Sequence, residues 1–262
     1  MGAGALWLTQ AKRLQTTMDP FIDAFKFIAH NGQIPGQPPV PTLVHYTLGT
    51  AKVAVIAMAI SLVIALPIGV WLGHIHRGSF VAINLGNIWR ALPSLAVLAI
   101  GVAILGLGLK NVLLALVVLA VPPIITNCYV GIDQVDPDVV DAARGMGMTG
   151  WQILRLIELP LAVPLVMAGI RISTLFVVST TTISALTGYA DSLGEIVNDE
   201  ASYHLAGVLG AAICIAILAL GIEALLALVQ RALTPVALRR TPTDTFEEGP
   251  AQLVAEPALY NS

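Results

Sequence analysis

Five stretches of this chain, residues 51–73, 91–109, 112–132, 161–187 and 205–229, are each about twenty residues long and almost wholly apolar. Nothing else in the sequence restricts the fold so severely. A helix of that length crosses the ~30 Å hydrocarbon core of a bilayer, where every backbone N–H and C=O must find its partner within the segment. Composition agrees: 56% of residues are hydrophobic and 11% charged, whereas soluble domains carry about a quarter charged residues. The expected fold is therefore all-α, a polytopic membrane protein with about five transmembrane helices.

Pro67, Pro93, Pro122, Pro123 and Pro164 fall inside or beside these windows, so bent helices are expected. Residues 1–43 read as a leader with an interfacial amphipathic segment at 21–29, where Asp23 and Lys26 interrupt the apolar face. The stretch from Gly32 to Pro41 is a linker too rich in Gly and Pro to be helical. Residues 44–232 form the membrane domain, and 233–262, rich in Pro, Thr and Glu after Arg240, form a disordered tail. Cys128 and Cys214 lie in or beside apolar runs, and no disulfide is expected between them.

Basic residues accumulate on the cytoplasmic side of short loops. With the first span running inward, Arg77, Arg90, Arg144, Arg155, Arg231, Arg239 and Arg240 lie inside, against Lys52 and Lys110 outside. The loop bearing Asp191, Glu195, Asp199 and Glu200 is then external. Lys12, Arg13 and Lys26 go against the rule. This orientation puts the N-terminus outside, the C-terminus in the cytoplasm, and the segment at about 133–160 on the cytoplasmic face.

That segment is charged and punctuated by glycine: Asp141-Ala142-Ala143-Arg144-Gly145-Met146-Gly147, then Ile157-Glu158-Leu159-Pro160 nine residues on. Locally it reads as a helix–turn–helix. Pro137 opens the first helix, Gly145 and Gly147 permit a tight break, and Thr149 caps the second. The spacing resembles the loop of permease subunits of binding-protein-dependent ABC importers, with Asp141 where the family usually has Glu. The resemblance implies a type I importer permease (MetI-like) fold and a coupling helix that docks into a groove on an ATPase subunit. It makes Asp141, Ala142, Ala143, Arg144, Met146, Gly147 and Met148 the coupling positions. Small alanines let a partner approach closely, and the two methionines can fill an uneven apolar groove.

The chain contains no Gly-x4-Gly-Lys-Ser/Thr phosphate loop, no His-Glu-x-x-His and no Gly-x-Ser-x-Gly. It is read as a transport subunit, not an enzyme, with no cofactor of its own and with ATP and Mg on the partner. Asp133, Asp136, Asp138 and Asp141 could be taken for a metal cluster, but Pro137 breaks their register, and solvated loop carboxylates are expected. His74 and His76 are expected only to border the headgroups.

Charges within spans cost at least ~2.5–3.5 kcal/mol to insert. There are two, Arg171 and Glu223. Each lies about eight residues, ~12 Å, from the cytoplasmic end of its span, and they are expected to pair. Ser173, Thr174 and Ser179 to Ser184 give the fourth span a hydroxyl face, which can bind neighbouring helices or line a solute path. Ser94, Ser173, Thr180, Thr181 and Ser184 are the path candidates.

Ala65 to Val70, Ile88 to Ala96 and Met167 to Arg171 are similar to the osmoprotectant branch of these importers. So, loosely, is Gly188 to Gly194. That branch implies import of glycine betaine, choline, carnitine or proline across the bacterial cytoplasmic membrane. Its implied partners are two ATPase copies, an extracytoplasmic solute-binding protein and a second permease copy or sister permease, within membrane lipids and with no nucleic acid. A permease for another small solute (amino acid, methionine, phosphonate) and an ion-coupled secondary transporter stay open as alternatives.

Overall fold

The computed structural model describes residues 20–33, 41–76, 80, 84, 86 and 91–234. The readings made above for residues 1–19, for most of the Gly32–Pro41 linker, for Arg77, Arg90, Arg239 and Arg240, and for the tail lie outside them. Every regular element among the described residues is helical. A short helix α1 covers residues 20–29. It is followed by α2 (Leu43–His74), α3 (Ser94–Leu105), α4 (Leu109–Asp133), α5 (Pro137–Gly145) and α6 (Gly150–Ile153). A π-helical turn, Leu154–Glu158, runs into α7 (Leu159–Ile183). A 3₁₀ turn, Ser184–Thr187, then precedes α8 (Leu193–Asn198) and α9 (Glu200–Leu233).

Among the described residues, four helices are long and apolar enough to cross a membrane: Leu43–His74, Leu109–Asp133, Gly150–Thr187 and Glu200–Leu233. The fifth expected window, 91–109, is not one of them. Its helix α3 has 12 residues, ~18 Å at 1.5 Å per residue, against ~30 Å of hydrocarbon. Gly106 and Gly108, with φ of 77° and 114°, turn the chain out of helix before α4 begins. Helices α2, α4 and α7 run through Pro67, Pro122, Pro123 and Pro164 without interruption, as bundle helices can when neighbours shield the freed carbonyls.

Helix α4 lies between α2 and α7. Their shared core comprises Val53, Ala54, Ala57 and Ala65 from α2, Val112, Leu116, Ala120, Ile124 and Cys128 from α4, and Val177 and Val178 from α7. The burial of small residues reflects how membrane helices associate: lipid is as apolar as leucine, so close backbone approach supplies the attraction. At Gly69 a Cβ would stand 2.6 Å from that of Cys128, and at Gly169 2.7 Å from that of Asn127. No larger residue fits at either crossing. Both cysteines are free.

Helix α9 breaks at His204, whose φ of 55° is non-helical, so its unbroken run starts near Leu205, where the apolar window starts. Helix α1 lies against α9. It buries Ala24 and Phe27, leaves Phe21, Ile22 and Phe25 exposed, and sets Phe27 edge-on to Tyr203.

Candidate functional site

The segment from Pro137 to Glu158 folds as two short helices and an exposed turn, from signals that are local in sequence. The Asp136 carboxylate caps α5 by accepting the Asp138 N–H at 2.9 Å, and Pro137 takes the first turn, where its missing N–H costs nothing. The helix ends at Met146. Gly147, with φ of 82°, then reverses the chain, and the Met148 N–H donates back to the Ala143 carbonyl at 3.2 Å. Thr149 and Gln152 form a reciprocal capping box, in which the Thr149 N–H donates to Gln152 Oε1 at 2.7 Å.

What fixes the two helices together is a small apolar core of Val135, Val140, Ala143 and Ile153, with Met148 and Ile157 at its edge. This sorts the expected coupling residues into two groups. Asp141, Ala142, Arg144, Met146 and Gly147 are exposed, whereas Ala143 is fully buried and Met148 half-buried. Ala143 sits one helical turn after Val140, on the face that meets α6, so its small size serves the chain's own packing. Asp141 and Arg144 form a solvent-facing pair at 3.1 Å. Exposed Val139, Met146, Trp151 and Leu156 supply apolar surface beside it. A preformed knob of this kind, charged and apolar side by side, suits docking to a protein groove.

The four aspartates do not converge. Among the described residues no group of three or more His, Cys, Asp or Glu could hold a metal ion. Asp136 is occupied as a cap, and Asp133 faces a histidine.

The histidines are where the structure departs from the expectation. His74 Nδ1 lies 2.7 Å from Glu158 Oε2, and His76 Nδ1 lies 3.0 Å from Asp133 Oδ1. Far from merely bordering the headgroups, they tie the end of α2 to the two ends of the helix–turn–helix. The partners are 84 and 57 residues apart. Only the doublet His-x-His beside a span could have hinted at this.

Within the spans, Arg171 and Glu223 are brought together. Arg171 Nε donates to Glu223 Oε1 at 2.7 Å, Nη2 reaches the same oxygen, and Nη1 donates to Gln230 Oε1 at 3.0 Å. Gln230, one helical repeat beyond Glu223, was not singled out in the sequence. The hydroxyl face of α7 is turned inward. Ser173, Thr180, Thr181 and Ser184 are buried within this chain. Ser173 donates to the Ala120 carbonyl across the α4–α7 contact at 2.8 Å, Thr181 to Val177 O at 2.7 Å and Ser184 to Thr181 O at 2.6 Å. The first ties two helices together, and the other two fold back on the preceding turn of the same run. Ser94, half-buried, begins α3.

Comparison with known proteins gives this geometry a family. Residues 65–235 match the family described as "Binding-protein-dependent transport system inner membrane component". The chain is 36% identical over 188 residues to a glycine betaine/carnitine/choline transport system permease protein of Bacillus subtilis (strain 168). That match covers 71% of this chain and 86% of the relative. It is 38% identical over 182 residues to a carnitine transport permease protein of Listeria monocytogenes serotype 1/2a (strain 10403S), covering 69% and 81%. Among solved structures, an inward-facing conformation of the MetNI methionine ABC transporter shares the fold, with a TM-score of 0.64 and 24% identity over 74% of this chain and 96% of that one. The chain belongs to the family of inner membrane components of binding-protein-dependent transport systems.

Proposed function

We propose that this chain is the permease subunit of an ATP-driven importer for quaternary-amine osmoprotectants such as glycine betaine, choline or carnitine, with proline as a further substrate. The observation that carries it is the exposed, self-packed helix–turn–helix at 137–153 in a chain whose relatives bear glycine betaine, carnitine and choline in their names. Asp141, Ala142, Arg144 and Met146 would meet the ATPase. ATP and Mg would be bound there, one ATPase to each of two permease copies, while an extracytoplasmic binding protein delivers solute. Closure of the ATPases would push the docked helices and switch the spans between inward and outward access. The basic-residue distribution supports a cytoplasmic hairpin and C-terminus and an external N-terminus.

The test is co-expression with an ATPase subunit and a binding protein, purification, and uptake into proteoliposomes of radiolabelled choline, glycine betaine and carnitine. Uptake that needs ATP inside the compartment served by the hairpin, and that Asp141→Arg abolishes, is expected. Uptake by the permease alone, driven by a sodium or proton gradient, would overturn the reading.

A further inference from the structure

One helix end holds both ends of the coupling hairpin. His74 is the last residue of α2, and its Nδ1 stands 2.7 Å from a Glu158 carboxylate whose side chain is only 2% exposed. Two residues on, His76 adopts a left-handed backbone with φ of 48° and presents Nδ1 3.0 Å from Asp133, the last residue of α4. Asp133 comes just before the hairpin and Glu158 just after it. In each pair the ring N–H donates to a carboxylate oxygen. The His76 pair is wetter, with 45% and 36% of the two side chains exposed, so the buried pair is the stronger hold.

The far end of α2 holds something else. Thr50 Oγ1 accepts the backbone N–H of Leu193 at 2.9 Å, and His45 Nε2 lies 3.5 Å from the Asp191 carboxylate. Ser192 and Leu193 are fully buried there. Helix α2 has 32 residues, ~48 Å from end to end. It therefore bonds the hairpin at one end and the segment before α8 at the other.

We infer that His74 and His76 are positioning residues that make α2 the rod by which displacement of the 137–153 hairpin reaches residues 191–193 at the opposite end. This rests on the proposal that the hairpin is the ATPase docking element. Apolar helix contacts can slide past one another at small cost. A histidine bonded to a buried carboxylate cannot slide without leaving that carboxylate unpaired, so the two ends move together.

The test uses the assembled transporter, permease with ATPase and binding protein, in proteoliposomes with radiolabelled choline, glycine betaine and carnitine. Solute taken up per ATP hydrolysed is measured for the wild type, H74A/H76A, Glu158→Gln and the exchange H74E/E158H. The double variant is expected to bind the ATPase and hydrolyse ATP as the wild type does, while uptake per ATP falls roughly tenfold. KM for solute should stay unchanged, and the exchange should recover part of the ratio. Should H74A/H76A fail to assemble, Glu158→Gln, which keeps the size and removes the charge, is read in its place. An unchanged ratio, or uptake and hydrolysis falling in step, overturns the role of the clamp. A wild-type chain that holds no ATPase overturns the proposed function instead, and the clamp's role falls with it.

Discussion

At the scale of single residues, Arg171 carries the greatest electrostatic demand in the membrane domain. It answers Glu223 through two nitrogens and Gln230 through a third, while the second carboxylate oxygen, Oε2, is buried without a hydrogen-bond partner. Removing one member of such a pair leaves the other charged in a poor solvent, at a cost of about 3–5 kcal/mol. Arg171→Met should therefore abolish uptake and sharply lower the thermal aggregation midpoint in detergent, and the double exchange R171E/E223R should recover much of both. A single reversal as active as the double would sink the pairing. A second residue-scale prediction concerns space rather than charge. A Cβ at Gly49 would stand 1.8 Å from the Asp191 carbonyl oxygen, a backbone atom that cannot move aside alone. Gly49→Ala should destabilise the chain by about 1–3 kcal/mol, read as a lower unfolding midpoint.

The helix–turn–helix at 137–153 shows how far an element can be built from local chemistry. Asp136, Pro137, Gly147 and Thr149 start, reverse and restart it, and each acts within four residues of itself. Thr149→Ala removes the side-chain half of the capping box, the acceptor for the Gln152 N–H, at a cost of about 1 kcal/mol. Amide hydrogen exchange over residues 149–153 should speed up several-fold while the rest of the chain is unchanged. Gly147→Val places a β-branched residue at a left-handed φ and costs about 1–2 kcal/mol. Uptake should fall more than ATPase binding does, because the turn sets the angle between α5 and α6 rather than the docking side chains. The π-helical turn Leu154–Glu158 is the one piece of this element the sequence did not announce. Its extra residue per turn aims Glu158 inward, against His74.

For the molecule as a whole, sidedness is open to direct measurement. A cysteine introduced at Asp141 in a background lacking Cys128 and Cys214 should react with a membrane-impermeant maleimide only from the cytoplasmic side, and one at Asp191 only from outside. Both reacting from one side would reject the topology. An all-helical membrane body and the family's loop were legible beforehand, because apolar length, proline, glycine and capping side chains are properties of short windows. Hydropathy alone did not register the positive φ of Gly106 and Gly108, which ends α3 after 12 residues. The inward face of Ala143, the hydroxyls of α7 bonded to neighbouring carbonyls and the grip of His74 on Glu158 had no such window. The sequence by itself determined that this chain crosses a membrane and carries a charged helix–turn–helix hairpin between two of its spans. Only the tertiary structure decided which side chains that hairpin offers and what holds it, since those contacts join residues dozens of positions apart and exist only once α2, α4 and α7 are packed.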